Sequence, residues 1–333
     1  MNSIDVDKNS ENSEKIRTKK INKNPEEIVV IKKNCPCTVY QLLSIIIPFV
    51  LLGLFSVIFI PIYLKKNNNN NNNEQIISNN TIEGEYDEFD IKIYNLSYAV
   101  LTPKNGYDAI YIHLGGITEI AGYFSRFFQS NSTFIPKGTK IFYISGELRI
   151  TEYTGLPIPV PSWFNVDSSG NLICSDCSDQ FDEAKKSLNF ILDKIDQISN
   201  EEKIDYDKIY LGGFSQGAIM VNYVLLNSRH KLGGYLAFSG YVFDHHFPPN
   251  EVVTELTEIQ KEILNSKKDY HNLATHSFND NSAFYPRIIE TYYTYYKDYS
   301  DFKLLSFGKL GHEFNTQPIH PFVRSWLKES MGK

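Results

Sequence analysis

KIYLGGFSQGAIM, residues 208–220, passes from an apolar β-like run through a cluster of small residues into an apolar helix. The strand candidate is Lys208–Leu211 and the helix candidate is Gln216–Leu226, with Gly213-Phe214-Ser215-Gln216-Gly217 between them, a G-x-S-x-G pattern. A serine held on so sharp a strand-to-helix turn needs a strained backbone and very small neighbours two residues away. Gly212, Gly213, Gly217 and Ala218 supply that room. The helix that follows would aim its first amide hydrogens at negative charge developing near Ser215. G-x-S-x-G alone is a weak pattern, and its alternative is a Gly-rich turn with a chance serine. The strand–turn–helix setting gives it weight.

Outward from this turn, further strand candidates are Ile91–Tyr94, Ala109–His113, Lys140–Ser145, Gly233–Phe238, Asn272–His276 and Phe302–Phe307. Further helix candidates are Phe181–Ile198, Pro286–Tyr299 and Pro321–Met331. In the first of these, Phe181, Ala184, Leu188, Ile191, Leu192 and Ile195 share one face at the helical period. Strands alternating with helices imply a mostly parallel sheet with helices on both faces. In such sheets reactive side chains gather at the carboxyl ends of strands. Nucleophilic serine chemistry there takes an acid and then a histidine, in that order, after the serine. Asp280, in ATHSFNDNSAF, follows a strand end, whereas Asp298 and Asp301 lie on the entry side of the next strand and Asp244 precedes its own strand's turn. His312, in FGKLGHEF, follows the strand run LLSF. His320, immediately before Pro321, reads as the start of the last helix. The candidates are therefore Ser215 as nucleophile, His312 as general base and acid, and Asp280 as the residue that orients the imidazole. A second amide is needed besides that of Gln216 to hold an oxyanion, and the Gly-rich turn His113-Leu114-Gly115-Gly116 is its candidate source. This chemistry needs no cofactor or metal.

Residues 106–330 resemble the acyl-protein thioesterase and carboxylesterase branch of the α/β-hydrolases. The matching segments are HLGG at 113–116, PSWF at 161–164, LGGFSQGA at 211–218, GYLAFSGYVF ending at Phe243, HSFND at 276–280 and GKLGHEF at 308–314. The resemblance implies an α/β-hydrolase fold, a triad of Ser215, Asp280 and His312, and oxyanion amides from Gly115 and Gln216. It also implies an acyl ester or thioester substrate. The chain departs from the family where HLGGI puts Ile117 in place of an acid, where HSFND replaces HGDxD, and in a longer 244–271 segment. A non-catalytic binding module on the same fold and an acyltransferase are the rival readings.

Ahead of the 88–333 domain the texture differs. Residues 1–39 are rich in Asn, Ser, Lys and Glu and read as a disordered tail. Residues 40–64 contain the uncharged run LLSIIIPFVLLGLFSVIFIPIYL at 42–64, which as a helix spans roughly 35 Å, enough to cross a bilayer. Lys and Arg outnumber their counterparts on the N-terminal side (only Lys65 and Lys66 follow directly), which predicts a cytoplasmic N-terminus and a lumenal or external C-terminal domain, a type II single-pass arrangement. Residues 65–87, opening with seven consecutive Asn, read as a low-complexity linker. Sequons at Asn79, Asn95 and Asn131 lie on the C-terminal side, carrying little weight in so Asn-rich a chain. Cys35 and Cys37 flank the membrane run, where palmitoylation and unmodified thiols are both open, and Cys174/Cys177 read as a structural or incidental loop pair. A net charge of −6 offers nothing to nucleic acid. The sequence sets no oligomeric state.

Overall fold

The structure is a computed structural model that describes residues 87–131, 134–155, 157–166, 178–242, 256–267, 271–280, 291–293, 295, 296, 298, 302–308, 311–313 and 319–332. The chain divides into two compact units, Met1–Asn80 and Thr81–Lys333, and every described residue belongs to the second. The expected tail, the membrane run at 42–64, nearly all of the linker, Asn79 and all four cysteines lie outside the described residues. Among the described residues no helix is long and apolar enough to cross a membrane.

In chain order the elements are β1 (Phe89–Asn95), β2 (Tyr98–Pro103), β3 (Ala109–Leu114), α1 (Ala121–Asn131), β4 (Thr139–Ile144), β5 (Glu147–Arg149), β6 (Val160–Ser162), α2 (Ser178–Glu202), β7 (Ile209–Phe214), α3 (Gln216–Asn227), β8 (Gly234–Phe238), α4 (Glu258–Asn265), β9 (His271–Ser277), β10 (Phe302–Phe307) and α5 (His320–Ser330). Eight strands form one sheet in the order β1-β2-β4-β3-β7-β8-β9-β10. β1, β2 and β4 pair antiparallel; from β4 through β3, β7, β8 and β9 to β10 every pairing is parallel. β5 and β6 make a separate antiparallel pair.

The central strands are buried on both faces, as parallel sheets require. In β3 the alternation divides two cores. Ile110, Ile112 and Leu114 join Leu188, Ile191 and Ile195 of α2 and Val221 and Val224 of α3. Ala109 and Tyr111 join Phe124 and Phe128 of α1 and Val323 and Trp326 of α5. Helices thus cover both faces, as the alternating pattern implies. The α2 stripe expected from the helical period is present, with Ala184, Leu188, Ile191 and Ile195 buried, and the helix runs longer than the 181–198 expectation. Residues 291–293, 295 and 296, inside the expected helix at 286–299, are helical. β2, β5, β6, α1 and α4 stand in addition to the expected elements.

α4 had a readable start. Thr257 Oγ1 accepts the Gln260 amide and Gln260 Oε1 accepts the Thr257 amide, a reciprocal cap written in the T-x-x-Q spacing.

Candidate active site

Ser215 sits between β7 and α3 with φ 52° and ψ −117°, a backbone conformation costly for any L-residue. Its amide donates to Phe238 O at 2.9 Å, which ties the turn to the end of β8. The small neighbours are sterically obligatory. A Cβ on Gly213 would lie 2.6 Å from the Gly217 backbone, and one on Gly217 would lie 2.0 Å from Leu114 O. Both obstacles are main-chain atoms, which no rotamer change relieves.

The other two candidates come from neighbouring strand ends. Asp280 lies three residues past β9, with its amide donating to Ser277 O at 3.2 Å. His312 lies beyond β10, the strand paired in parallel with β9. His312 Nε2 is 2.7 Å from Ser215 Oγ, and His312 Nδ1 is 2.7 Å from Asp280 Oδ2. The Asp280 side chain is fully enclosed while His312 keeps 23% of its side chain exposed. The Phe214 ring packs on the imidazole at 4.9 Å between centroids. His276 Nε2 approaches Asp280 Oδ2 to only 3.6 Å, too far for a hydrogen bond. The structure therefore brings together three side chains far apart in sequence.

His320 is elsewhere. It opens α5, is 2% exposed, and packs against the rings of Phe127 and Phe134. Burial pushes its pKa down to about 4, so it stays neutral near pH 7.

The expectation for Gly115 is corrected. Its amide donates to Ile144 O at 2.8 Å, extending the β3–β4 ladder by one residue, and so is committed to the sheet. The next residue, Gly116, is the one beside the nucleophile: a Cβ placed on it would lie 3.4 Å from Ser215 Cβ. The Gly116 amide donates to Glu119 Oε2 at 2.8 Å. The sequence does not distinguish Gly116 from Gly115, because which of two adjacent glycine amides is left outside the ladder depends on where pairing with a distant strand stops.

Gln216, at the first position of α3, holds its side chain away from the serine. Its Oε1 accepts from the Trp163 amide at 2.8 Å and from Ser162 Oγ at 3.2 Å, and its Nε2 donates to Phe164 O at 2.6 Å. Trp163 Nε1 donates to Gly115 O at 2.8 Å. The PSWF segment thus grips both the start of α3 and the turn after β3. A cleft of about 570 Å³ opens over His312 and Phe214, walled by Ile117, Glu119, Ile120 and Tyr123. Among the described residues no group of three or more His, Cys, Asp or Glu side chains is arranged to hold a metal ion.

A mostly parallel sheet of this strand order, with a serine on the strained turn between a central strand and its helix, is the α/β-hydrolase fold. A family model described as phospholipase/carboxylesterase matches residues 127–271. Acyl-protein thioesterase 1 homolog 1 of Dictyostelium discoideum is 39% identical over 84 residues, 25% of this chain and 35% of the relative, so the chain spans about a third of that relative's length. Acyl-protein thioesterase 1 of Kluyveromyces lactis is 25% identical over 191 residues, 55% of this chain and 75% of the relative. The crystal structure of Zea mays acyl-protein thioesterase 2 superposes with a TM-score of 0.54 at 18% identity, covering 72% of this chain and 100% of the other; it shares the fold.

Proposed function

We propose that the chain hydrolyses carboxylic esters or thioesters through an acyl-enzyme on Ser215. The observation that carries the reading is the hydrogen-bonded series Asp280–His312–Ser215, with both links at 2.7 Å. In the proposed cycle Ser215 Oγ attacks the substrate carbonyl carbon while its proton passes to His312 Nε2. Asp280 accepts the hydrogen bond from Nδ1, which fixes the tautomer and stabilises the imidazolium. The tetrahedral oxyanion is received by the amides of Gln216 and Gly116. His312 then protonates the leaving alkoxide or thiolate, the C–O or C–S bond breaks, and the acyl group remains on Ser215. Water, activated by His312, reverses these steps and releases a carboxylic acid.

The cleft walls Ile117, Ile120, Tyr123 and Phe214 suit an acyl chain. The relatives named acyl-protein thioesterases support a thioester among the substrates. The uncharged run at 42–64 supports a single-span anchor with this domain on the lumenal or external side; protease protection in intact vesicles tests that arrangement.

A fluorophosphonate probe tests the chemistry. Covalent labelling of the wild-type chain that disappears in Ser215→Ala, together with turnover of p-nitrophenyl esters, is the expected result. Labelling retained in folded Ser215→Ala would refute the assignment.

A further inference from the structure

We propose that the Glu119 carboxylate is a resident occupant of the loop amide that receives the oxyanion, so that a substrate carbonyl reaches Gly116 only by displacing it. The inference rests on Ser215 being the nucleophile.

The oxyanion of an attacked carbonyl forms within bonding distance of the serine oxygen and needs amide donors already aimed at it. On the loop after β3, Gly115 has spent its amide on Ile144 O, which leaves Gly116, the residue against Ser215. That amide is not empty-handed: it donates to Glu119 Oε2 at 2.8 Å. A carboxylate oxygen carries the charge and acceptor geometry of the species the site must hold, so it is a chemical stand-in for the oxyanion.

Glu119 is poorly rewarded for being there. Its other oxygen, Oε1, is shielded from solvent and has no hydrogen-bond partner among the described residues. A buried carboxylate with a purely structural task ordinarily has both oxygens satisfied. Burial pushes its pKa up to about 7, opposed only by the Gly116 hydrogen bond. The turn that carries it is strained as well. Thr118 has φ 67°, an outlier for a β-branched residue, with its amide held by Pro161 O at 2.9 Å. Thr118 and Ile120, on either side of Glu119, are exposed, and Glu119 itself lines the cleft. Rotation of the side chain into the cleft would hydrate the carboxylate and free the amide with no movement of the sheet.

Two consequences separate a plug from a brace. Removing a plug speeds reaction at Ser215, whereas removing a brace slows it. A plug also repels carboxylate products from the site it occupies, so its removal admits them.

The test uses the full chain in detergent and measures the second-order rate of fluorophosphonate labelling for wild type, Glu119→Ala and the near-isosteric Glu119→Gln, with Ser215→Ala as control and thermal unfolding to verify the fold. Labelling is expected to accelerate roughly ten- to a hundredfold in Glu119→Ala, the rate equivalent of one hydrogen bond to a charged group, and by a smaller factor in Glu119→Gln. Hexanoate is expected to protect Ser215 from labelling in Glu119→Ala and much less in wild type. Normal wild-type labelling with both variants folded and no faster overturns the inference alone. No labelling in any of the three, or labelling of Ser215→Ala, overturns the reading of Ser215 beneath it.

Discussion

Lys267→Met is expected to stabilise the fold at and below neutral pH, with an advantage that shrinks as the pH rises. Lys267 follows α4 and is 1% exposed. Its Nζ donates to Leu225 O, in the last turn of α3, at 2.7 Å, and lies 5.3 Å from the centroid of the Tyr235 ring. Burial pulls its pKa from 10.5 down to about 7. That gap corresponds to roughly 5 kcal/mol spent on neutralising the amine at pH 7, an upper value because the hydrogen bond to Leu225 returns about 1 kcal/mol. The sign follows from proton counting. Between pH 7 and 10.5 the unfolded lysine holds its proton and the folded one has lost it, so wild-type stability rises with pH in that window. The slope approaches 2.303RT per pH unit in mid-window, or roughly 2–3 kcal/mol between pH 7.5 and 9.5. Methionine fills a similar volume and does not titrate. Urea unfolding of both proteins across pH 6–9.5 reads the difference directly, since every other titrating group cancels. Parallel stability curves would refute the reasoning, because they would mean that Lys267 stays charged in the folded state.

Gly217→Ala is expected to abolish fluorophosphonate labelling and to cost about 3 kcal/mol or more, since the new methyl would meet Leu114 O at 2.0 Å and Gly115 O at 2.7 Å. Gly311→Ala, with no atom of the described residues within 4 Å of its added carbon, is expected to leave labelling and unfolding unchanged. Asp280→Asn is expected to lower ester turnover roughly a thousandfold or more by leaving His312 in the wrong tautomer, measured as kcat on a p-nitrophenyl ester. Trp163→Phe deletes the hydrogen bond to Gly115 O and leaves a buried carbonyl unpaired. It is expected to cost about 1–3 kcal/mol in urea unfolding and to lower kcat about tenfold with KM little changed.

What was legible in the sequence was what local chemistry decides. The steric needs of the Ser215 turn fall within a few residues, so its glycines announce it. Asp280 and His312 could be placed because each follows a strand run, and a parallel sheet collects such ends at one edge. The helix α1 was harder to see: Gly122 stands at its second position, and the buried Phe124, Phe127 and Phe128 that pattern it are followed by the polar Gln129-Ser130-Asn131. β2 hides because it follows β1 after a tight turn, where Asn95 Oδ1 accepts the Ser97 amide at 2.8 Å, with no Gly or Pro to mark the reversal. The choice between Gly115 and Gly116 was illegible for a different reason. It depends on Ile144, a residue of another strand, accepting the Gly115 amide, and no spacing rule contains that pairing.

The geometry divides the labour of the site between two sets of supports. The Ser215–His312–Asp280 series depends on the ends of β7, β9 and β10. The proposed oxyanion side depends on the turn after β3, the first residue of α3 and the PSWF segment that binds both. That segment is itself anchored from α2, where Ser187 Oγ donates to Trp163 O at 2.5 Å, and from β5, where Arg149 Nε donates to Ser162 O at 3.0 Å. Trp163, Ser162 and Phe164 bond to Gly115 and Gln216, whereas Asp280 bonds to His312. Perturbations of groups with no shared partner add in free energy. The rate losses of Asp280→Asn and Trp163→Phe are therefore expected to multiply in the double variant, one disabling proton transfer and the other loosening the amides that hold the charge. A double variant no slower than Asp280→Asn alone would mean that the two sides act as one unit, and that the PSWF segment reaches the histidine by a route other than the contacts traced through Gly115 and Gln216.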